Sequence, residues 1–313
     1  MRQKIVQNFG SLFGILLLIL SIWAISNELQ DYHYSDVISS FQALPVKQLY
    51  WAIGLTGLGY FVMTGYDILA FRYIGYSLAY SKIAVTGFIS CAFGNTVGFA
   101  VLTGGAIRYR FYSVWRLSAI AIAQIIAFVN FTFWLGLLAV SGVMFLLNPL
   151  TIPTQLNLPF SSVRFLGMIF MLVVAVYLLG SLLSRKSLKI RQQKFRFPSF
   201  TLALAQIGVS SLDWILAAAV LYVLLPANTL LSYSNFLGIY LLAMTAGVIS
   251  NVPGGLGVFE TVILLLLKGK ATTTAVLASL LAYRGVYYLL PLAVATGLLG
   301  FYEIRQRFSS RLN

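Results

Sequence analysis

The sequence predicts an all-α polytopic membrane protein with about six full spans and two broken, re-entrant helical hairpins. Of its 313 residues, 60% are hydrophobic and 9% are charged, and the mean hydropathy is +0.90. A soluble domain of this length needs a much larger charged surface. Apolar runs of about 20 residues recur from end to end, and each is long enough to cross a hydrocarbon core roughly 30 Å thick.

Full spans are predicted where these apolar runs are uninterrupted. The first run has a basic start but no small-residue cleavage site before Glu28, so we interpret it as a retained span and not as a signal peptide. The predicted spans are 9–26, 49–71, 118–147, 161–183, 200–225 and 274–301.

Two further apolar stretches, 82–107 and 236–267, are interrupted by helix breakers. A broken helix leaves backbone polar groups without partners, and such a break is tolerated only where it is buried in protein or lines a cavity. We predict that the breaks form a gate or a binding site. Their positions are Asn95, Gly104 and Gly105 in the first stretch and Asn251, Pro253, Gly254 and Gly255 in the second.

Basic residues predict the orientation of the chain. With a cytoplasmic N-terminus, a full crossing by 82–107 would place the basic loop 184–198 outside, against the positive-inside rule. A hairpin that returns to its own side keeps this loop and Arg108 inside. For 236–267 the charges discriminate weakly, because a hairpin leaves the basic pair at 268–270 outside and the three arginines of the tail 305–311 inside, and a full crossing swaps the two groups. We prefer the hairpin because it makes a pair with the first one.

The chain is interpreted as a single transmembrane domain, 1–313, whose halves at about 1–183 and 199–313 are joined by the basic cytoplasmic loop 184–198. Hairpins that enter from opposite faces are expected of an inverted repeat. Each broken stretch leads through a small-residue helix to an Asn followed by a glycine cluster. The similarity between the two stretches is slight, and chance is the alternative explanation.

Four ionisable residues lie inside apolar segments, namely Asp67, Asp213, Glu260 and Arg284. A charge at membrane depth costs roughly 2.5–3.5 kcal/mol on insertion scales, so such residues usually face the protein interior and pair. Arg284 is predicted to be the counter-ion of Asp213 or Glu260, or a ligand for a lipid phosphate. The alternative is a packed arginine held by cation–π contacts with neighbouring tyrosines and by one acid.

Arg108 and two polar stripes complete the candidate site. Arg108 is predicted to stand at the cytoplasmic mouth of the first hairpin and to hold an anionic headgroup there, although positive-inside topology alone also explains it. Thr64 lies three residues before Asp67, and Ser210 lies three before Asp213, so helical spacing puts each pair on one face. The stripes indicate a shared wet cavity or, alternatively, hydrogen bonds between packed helices. They extend to Tyr60 and Gln206.

Composition excludes several other classes of protein. A single cysteine and a single histidine leave no disulfide framework and no Cys/His metal site. There is no Walker A sequence and no Ser/His/Asp set, so the chain is predicted not to be an enzyme and to need no metal or cofactor. The net charge of +14 comes mostly from loops and is interpreted as membrane topology, not as nucleic-acid binding.

Five motifs occur in the order found in a known family and cover nearly all of the chain. They are YDIL at 66–69, TGGAIR at 103–108, DWILAAAVLY at 213–222, PGGLGVFE at 253–260 and YRGVYY at 283–288. In these motifs the chain resembles the membrane domain of the lysylphosphatidylglycerol flippase/synthetase family, the bacterial multiple peptide resistance factors. The resemblance implies that Asp67, Arg108 and Asp213 stand where the family has polar residues tied to lipid flipping. The family also has a Glu at the place of Asp213 and an Asp at the place of Glu260, and both departures keep the charge.

The resemblance implies lipid translocation without lysine transfer, because the chain stops at Asn313 and does not extend into the synthetase. The leading hypothesis is a flippase of the bacterial cytoplasmic membrane that moves lysylphosphatidylglycerol or a related phospholipid. The alternative is a non-transporting membrane subunit that partners a separate lipid synthetase or glycosyltransferase. A membrane enzyme acting on a polyprenyl-phosphate lipid ranks lowest.

The expected partners are membrane phospholipids, together with a second copy of the chain or a separate synthetase. Substrate contacts are expected from Asp67, Arg108, Asp213, Glu260 and Arg284.

Overall fold

The computed structural model describes residues 39, 42, 44–97, 100–149, 162–183, 188–190, 193–195, 197–226, 229, 231–249 and 257–309. Helices dominate this part of the chain. In chain order they are α1 (Val46–Ile74), α2 (Tyr80–Val97), α3 (Ala100–Val114), α4 (Ala119–Leu147), α5 (Arg164–Leu183), α6 (Phe200–Leu224), α7 (Tyr233–Ile249), α8 (Val258–Leu267), α9 (Thr273–Tyr283), a π-helix (Arg284–Leu289) and α10 (Leu290–Ser309).

A short antiparallel pair of strands lies between α5 and α6. Its members are β1 (Leu188–Ile190) and β2 (Gln193–Phe195), and Leu188 pairs with Phe195. The pair falls within the basic connection that was expected to join the two halves.

Five segments are long and apolar enough to cross a membrane: α1, α4, α5, α6 and the continuous segment Thr273–Tyr302. They coincide with five of the predicted spans, whereas the predicted span 9–26 lies outside the described residues. The prediction of an all-α polytopic membrane protein is confirmed. Large apolar side chains such as Leu172 and Val176 are exposed on α5, as contact with lipid requires.

Local sequence signals set where these helices begin and end. The Ser118 and Ser199 hydroxyls accept hydrogen bonds from the backbone N–H groups of Ala121 and Leu202, at 3.2 and 3.3 Å. Each bond satisfies one of the free donors in the first turn of α4 or α6. Gly75 ends α1 in the left-handed conformation with φ 69°, which a residue with a Cβ rarely adopts.

The first interrupted stretch forms a helical hairpin of α2 and α3, as predicted. Asn95 lies in the last turn of α2, next to the connection between the two arms. The predicted second break at Gly104 and Gly105 is wrong, because α3 runs unbroken through both residues. These glycines allow close packing instead. A Cβ on Gly104 would lie 2.8 Å from the Ser90 carbonyl oxygen of α2, and one on Gly105 would lie 3.4 Å from Ile126 of α4.

The second interrupted stretch also folds into two helices in contact, α7 and α8. The rings of Tyr240 on α7 and Phe259 on α8 meet with 5.6 Å between their centroids. Four predicted break positions in this stretch lie outside the described residues: Asn251, Pro253, Gly254 and Gly255.

Helices α1 and α6 pack against each other in antiparallel directions. Near the start of α1, Gln48 donates to the carbonyl of Leu225 at the end of α6, at 3.5 Å. Further along α1, Gly65 faces Val209 near the start of α6. The two helices therefore end on opposite faces of the protein, and so the hairpin that follows each one starts from the opposite face. An inverted repeat requires this arrangement.

Glycines also set the packing of α4 against its neighbours. Gly136 lies against Ser210 of α6, and Gly142 lies against Met171 of α5. These contacts bring the three helices close together around a hydrogen-bonded interior.

We predict that Gly136→Ala destabilises the protein by about 1–3 kcal/mol, the usual cost of overpacking. A Cβ there would overlap the Ser210 side chain and lie 2.6 Å from its carbonyl carbon, so α4 and α6 must separate. Thermal unfolding in detergent measures the effect. The control is Gly208→Ala on α6, whose Cβ would meet nothing within 4 Å. Equal unfolding midpoints for the two variants would contradict this packing.

Candidate functional site

Asp67 and Arg108 form a buried ion pair between α1 and α3. Arg108 Nε donates to Asp67 Oδ1 at 2.9 Å, and its Nη2 donates to Oδ2 at 2.7 Å. Tyr112, one turn further along α3, donates its hydroxyl to Oδ1 at 2.8 Å. The exposed fractions are 0% for Asp67 and 3% for Arg108. Two parallel hydrogen bonds to a planar guanidinium are the strong geometry for such a pair, which here ties the first hairpin to α1.

Two glycines and the single cysteine surround this pair. A Cβ on Gly87 of α2 would lie 3.1 Å from Asp67 Oδ2, and a Cβ on Gly104 would lie 3.2 Å from Arg108 Nη1. Arg108 Nη2 also donates to Cys91 Sγ at 3.7 Å. The predicted place of Arg108 at the mouth of the hairpin is therefore wrong, because its side chain is enclosed by α1, α2 and α3.

Glu260 and Arg284 form a second buried ion pair, between α8 and the π-helix. Arg284 donates from Nε and Nη2 to Glu260 Oε1 at 2.9 and 2.7 Å. Glu260 Oε2 accepts the backbone N–H of Gly257 at 2.9 Å, so the same carboxylate caps α8. Of the predicted partners for Arg284, the structure pairs it with Glu260. The rings of Tyr288 and Phe259 lie 4.8 and 5.9 Å from the guanidinium carbon, so the cation–π contacts are also present.

Asp213 on α6 is the third buried acid, and its exposed fraction is 3%. Tyr66 of α1 donates its hydroxyl to Asp213 Oδ2 at 2.6 Å. Within the described part of the chain, the buried Oδ1 atom has no hydrogen-bond partner and the carboxylate has no ion pair. Two neighbouring residues of α1 thus contact different helices, since Tyr66 binds an acid on α6 and Asp67 binds an arginine on α3.

The π-helix Arg284–Leu289 lies where the last span meets α1 and the tip of the first hairpin. Side chains from both neighbours reach its backbone carbonyls. Tyr60 donates to the Tyr287 carbonyl at 3.2 Å, and the Thr96 hydroxyl lies 3.3 Å from the Tyr288 carbonyl and 3.0 Å from that of Ala92 in its own helix. Such turns occur frequently at functional sites. This one positions the arginine of the second ion pair and joins it to the first half of the protein.

Three tyrosines that sequence reasoning did not assign to the site contact its polar groups. They are Tyr66 and Tyr112, which bind the acids directly, and Tyr240, whose hydroxyl lies 2.8 Å from that of Tyr283. Of the three, only Tyr112 could have been predicted from the sequence, because it lies four residues after Arg108 and so on the same face of the helix. The hydroxyls place polar atoms beside the charges in an otherwise apolar interior.

The two polar stripes have different outcomes. On α6, Gln206 donates to Thr132 at 2.6 Å and accepts the hydroxyl of Tyr177, while Ser210 donates to the Gln206 carbonyl at 2.6 Å. The two bonds of the Gln206 side chain join α6 to α4 and α5. This stripe therefore mainly forms hydrogen bonds between packed helices, which was the alternative interpretation. On α1, the stripe leads through Tyr60 to the π-helix and belongs to the site.

An apolar groove of about 520 Å³ lies between α4, α5 and the start of α6. Phe131, Val173 and Val176 line it and are 47%, 45% and 60% exposed, so the groove opens toward the surrounding lipid. Tyr177 and Gln206 add polar atoms to its lining.

The arrangement is suited to binding charged groups of both signs. Carboxylates attract ammonium groups, and guanidinium groups bind phosphate or carboxylate in a bidentate manner. No cluster of three or more His, Cys, Asp or Glu side chains that would hold a metal ion occurs within the described ranges.

We predict that Arg108→Gln destabilises the protein by about 3–5 kcal/mol, because it leaves the Asp67 charge buried without its cation. The double variant Asp67→Asn with Arg108→Gln should recover most of that loss, since both charges are then gone. Unfolding in detergent of the wild type, both single variants and the double variant gives the coupling energy. Simple additivity of the two single losses would contradict a buried pair.

No protein-family model matches the chain, but it aligns with known proteins over most of its length. It is 48% identical over 311 residues to the uncharacterized protein slr0712 of Synechocystis sp., an alignment that covers 99% of this chain and 96% of that protein. It is 35% identical over 247 residues to the inner membrane protein YbhN of Escherichia coli, and this covers 78% of the chain and 76% of YbhN.

The chain is also similar to part of longer proteins. It is 26% identical over 310 residues to the phosphatidylglycerol lysyltransferase of Staphylococcus xylosus, and 97% of this chain aligns with 35% of that protein. The lysyltransferase of Staphylococcus aureus strain MSSA476 is 24% identical over 304 residues. The chain thus spans about a third of the length of these enzymes. It belongs to the family of the inner membrane protein YbhN and is related to the membrane domain of the lysylphosphatidylglycerol flippase/synthetases.

Proposed function

We propose that the protein is a lipid flippase of the bacterial cytoplasmic membrane that moves lysylphosphatidylglycerol or a related phospholipid between the leaflets. One observation carries the proposal: three acids and two arginines are buried where two helical hairpins meet the antiparallel pair α1 and α6. Buried charge at membrane depth is costly and marks transport pathways or binding sites. The names of the staphylococcal relatives point to a phospholipid as the molecule concerned.

The charges suit a headgroup that itself carries both signs. Arg108 and Arg284 bind carboxylates in this structure, and a lipid phosphate that displaced one of these carboxylates would be bound by the same guanidinium donors. Asp213 has no cationic partner in the described part of the chain and would attract an ammonium group. A lysyl ester of phosphatidylglycerol offers both a phosphate and ammonium groups.

The acyl tails would stay in the hydrocarbon while the headgroup crosses through the protein. A polar interior lowers the cost of desolvating the headgroup, which is the main barrier to unassisted flipping. The apolar groove between α4 and α5 opens toward lipid and would hold one tail beside the path. Because the hairpins start from opposite faces, a rocking of the halves about the α1–α6 contact would expose the site to each side in turn.

The N-terminus is proposed to be cytoplasmic. Arg72 lies at the end of α1 and Arg116 lies just before α4, on the face where residues 197–200 lead into α6. The basic segment 184–198 directly precedes α6 in the sequence. This face is cytoplasmic by the positive-inside rule. The predicted span 9–26 then returns the N-terminus to that side.

A non-transporting membrane subunit that partners a separate lipid synthetase or glycosyltransferase is the second candidate function. The staphylococcal relatives are named as lysyltransferases, so a part of such a protein would support lipid synthesis without moving lipid itself. In either case the chain itself is proposed not to be an enzyme.

In proteoliposomes, the wild-type protein should expose fluorescent lysylphosphatidylglycerol from the inner leaflet to external dithionite. Asp213→Asn should slow this movement by roughly tenfold or more, because a hydrogen bond to a charged group contributes about 1.5–3 kcal/mol. The matched control is Leu212→Asn, which places the same amide on the outward side of α6, where Leu212 is 46% exposed. This control should transport at the wild-type rate.

Fluorescent phosphatidylglycerol, measured in parallel, separates the remaining outcomes. Equal movement of both lipids would indicate a scramblase with little headgroup selection. Absence of any movement with folded wild-type protein would overturn the flippase and favour the partner subunit.

A further inference from the structure

We propose that Asp213 carries a proton in this state and exchanges it for the cationic headgroup during transport, one for one. The inference rests on the proposed function and adds the ion that drives it. The buried charges of the interior are the first observation that supports it. Asp67 and Arg108 neutralise each other, and so do Glu260 and Arg284. If Asp213 were ionised, its negative charge would have no such partner among the described residues.

The surroundings of Asp213 do not support a bare carboxylate. The side chain is 3% exposed, and in the described residues its only hydrogen bond is the one that Tyr66 donates to Oδ2 at 2.6 Å. An isolated charge buried in this way costs far more than a neutral carboxylic acid with one unmade hydrogen bond, whose cost is about 1–3 kcal/mol. Since Oδ2 already accepts a proton from Tyr66, the proton of Asp213 belongs on Oδ1.

A proton fits this position better than a metal ion. Hard cations such as Ca²⁺ take 6–8 oxygen ligands, and Mg²⁺ needs an octahedral set. Within the described part of the chain, Oδ1 has no hydrogen-bond partner, and no cluster of metal-binding side chains occurs. An oxygen atom without such partners can bind a proton, whereas a metal ion needs several further ligands.

Among the described residues, no other acid around Asp213 is free to take this role. The elements packed against it contribute mostly tyrosine hydroxyls and one thiol, and Asp67, the neighbouring acid, is held by Arg108. The titratable groups that face the site are Tyr60, Tyr66 and Asp67 of α1, Cys91 of α2, Tyr240 of α7 and Tyr287 of the π-helix.

The exchange conserves charge and atoms. When an ammonium group of the headgroup reaches Asp213, the O–H bond on Oδ1 breaks, the proton passes to water, and the carboxylate holds the ammonium. When the headgroup leaves on the other side, a proton from water restores the O–H bond. A lysyl ester of phosphatidylglycerol carries two ammonium groups and one phosphate, hence one net positive charge. One proton moving the other way makes the cycle electroneutral.

The test is lysylphosphatidylglycerol movement in proteoliposomes under an imposed pH gradient, with a trapped pH dye. One-for-one exchange predicts that each pH unit shifts the lipid distribution between leaflets by about tenfold, with the lipid accumulating on the acidic side. A potassium diffusion potential should leave the distribution unchanged. Leu212→Asn should behave as the wild type.

Lipid movement that ignores the pH gradient and releases no protons would overturn the exchange and leave the flippase standing. If neither the wild type nor any variant moved lipid, the flippase would be overturned and, with it, the exchange. Infrared spectroscopy of the purified protein gives a readout independent of transport. The wild type should show the C=O stretch of a buried protonated carboxylic acid, and Asp213→Asn should lack it. A wild-type spectrum without that band would contradict the protonated state.

Discussion

A hydrocarbon interior has almost no capacity for unpaired charge, and this constraint organises the centre of the protein. Asp67 with Arg108 and Glu260 with Arg284 each neutralise their charges through two short hydrogen bonds. Each pair also joins a hairpin to a spanning segment, the first to α1 and the second to the π-helix. The contacts that pair the charges are therefore also contacts that hold the helices together. Separating a hairpin from its spanning segment would leave both charges of the pair without a partner.

The antiparallel contact of α1 and α6 gives these pairs their relation to one another. Because the two helices end on opposite faces, the hairpins begin on opposite faces and bring their pairs toward a common interior. The π-helix completes the assembly, since its backbone carbonyls contact the hydroxyls of Tyr60 on α1 and Thr96 on the first hairpin. Asp213 lies in this interior with a tyrosine and without a cation among the described residues. It is thus the group whose charge state can change without breaking an ion pair.

Hydropathy and charge predicted much of this fold, because span length and the positive-inside rule act on whole segments. The described spans and the two interrupted stretches lie where the sequence placed them. The burial of Asp67, Asp213, Glu260 and Arg284 followed from their positions in apolar runs.

The pairing of these residues depends on tertiary geometry that a single sequence does not carry. Asp67 and Arg108 are 41 residues apart, and only the folded hairpin brings them together. Gly104 was misread because a glycine in a helix signals either a break or a close approach. Tyr66 had no distinguishing signal, since a tyrosine in an apolar helix is ordinarily a packing residue. The π-helix contacts α1 and α2, and nothing in the sequence predicted it.

The most direct test of the central claim is to find where a lipid headgroup lies during transport. A phospholipid with a lysyl headgroup and a photoreactive diazirine attached to it would be cross-linked in proteoliposomes, and the adducts would be mapped by mass spectrometry. Adducts are expected on the inward faces of α1, α6 and the π-helix, at residues such as Tyr66 and Tyr287. Adducts confined to the lipid-exposed faces, at residues such as Leu172 and Leu212, would contradict it.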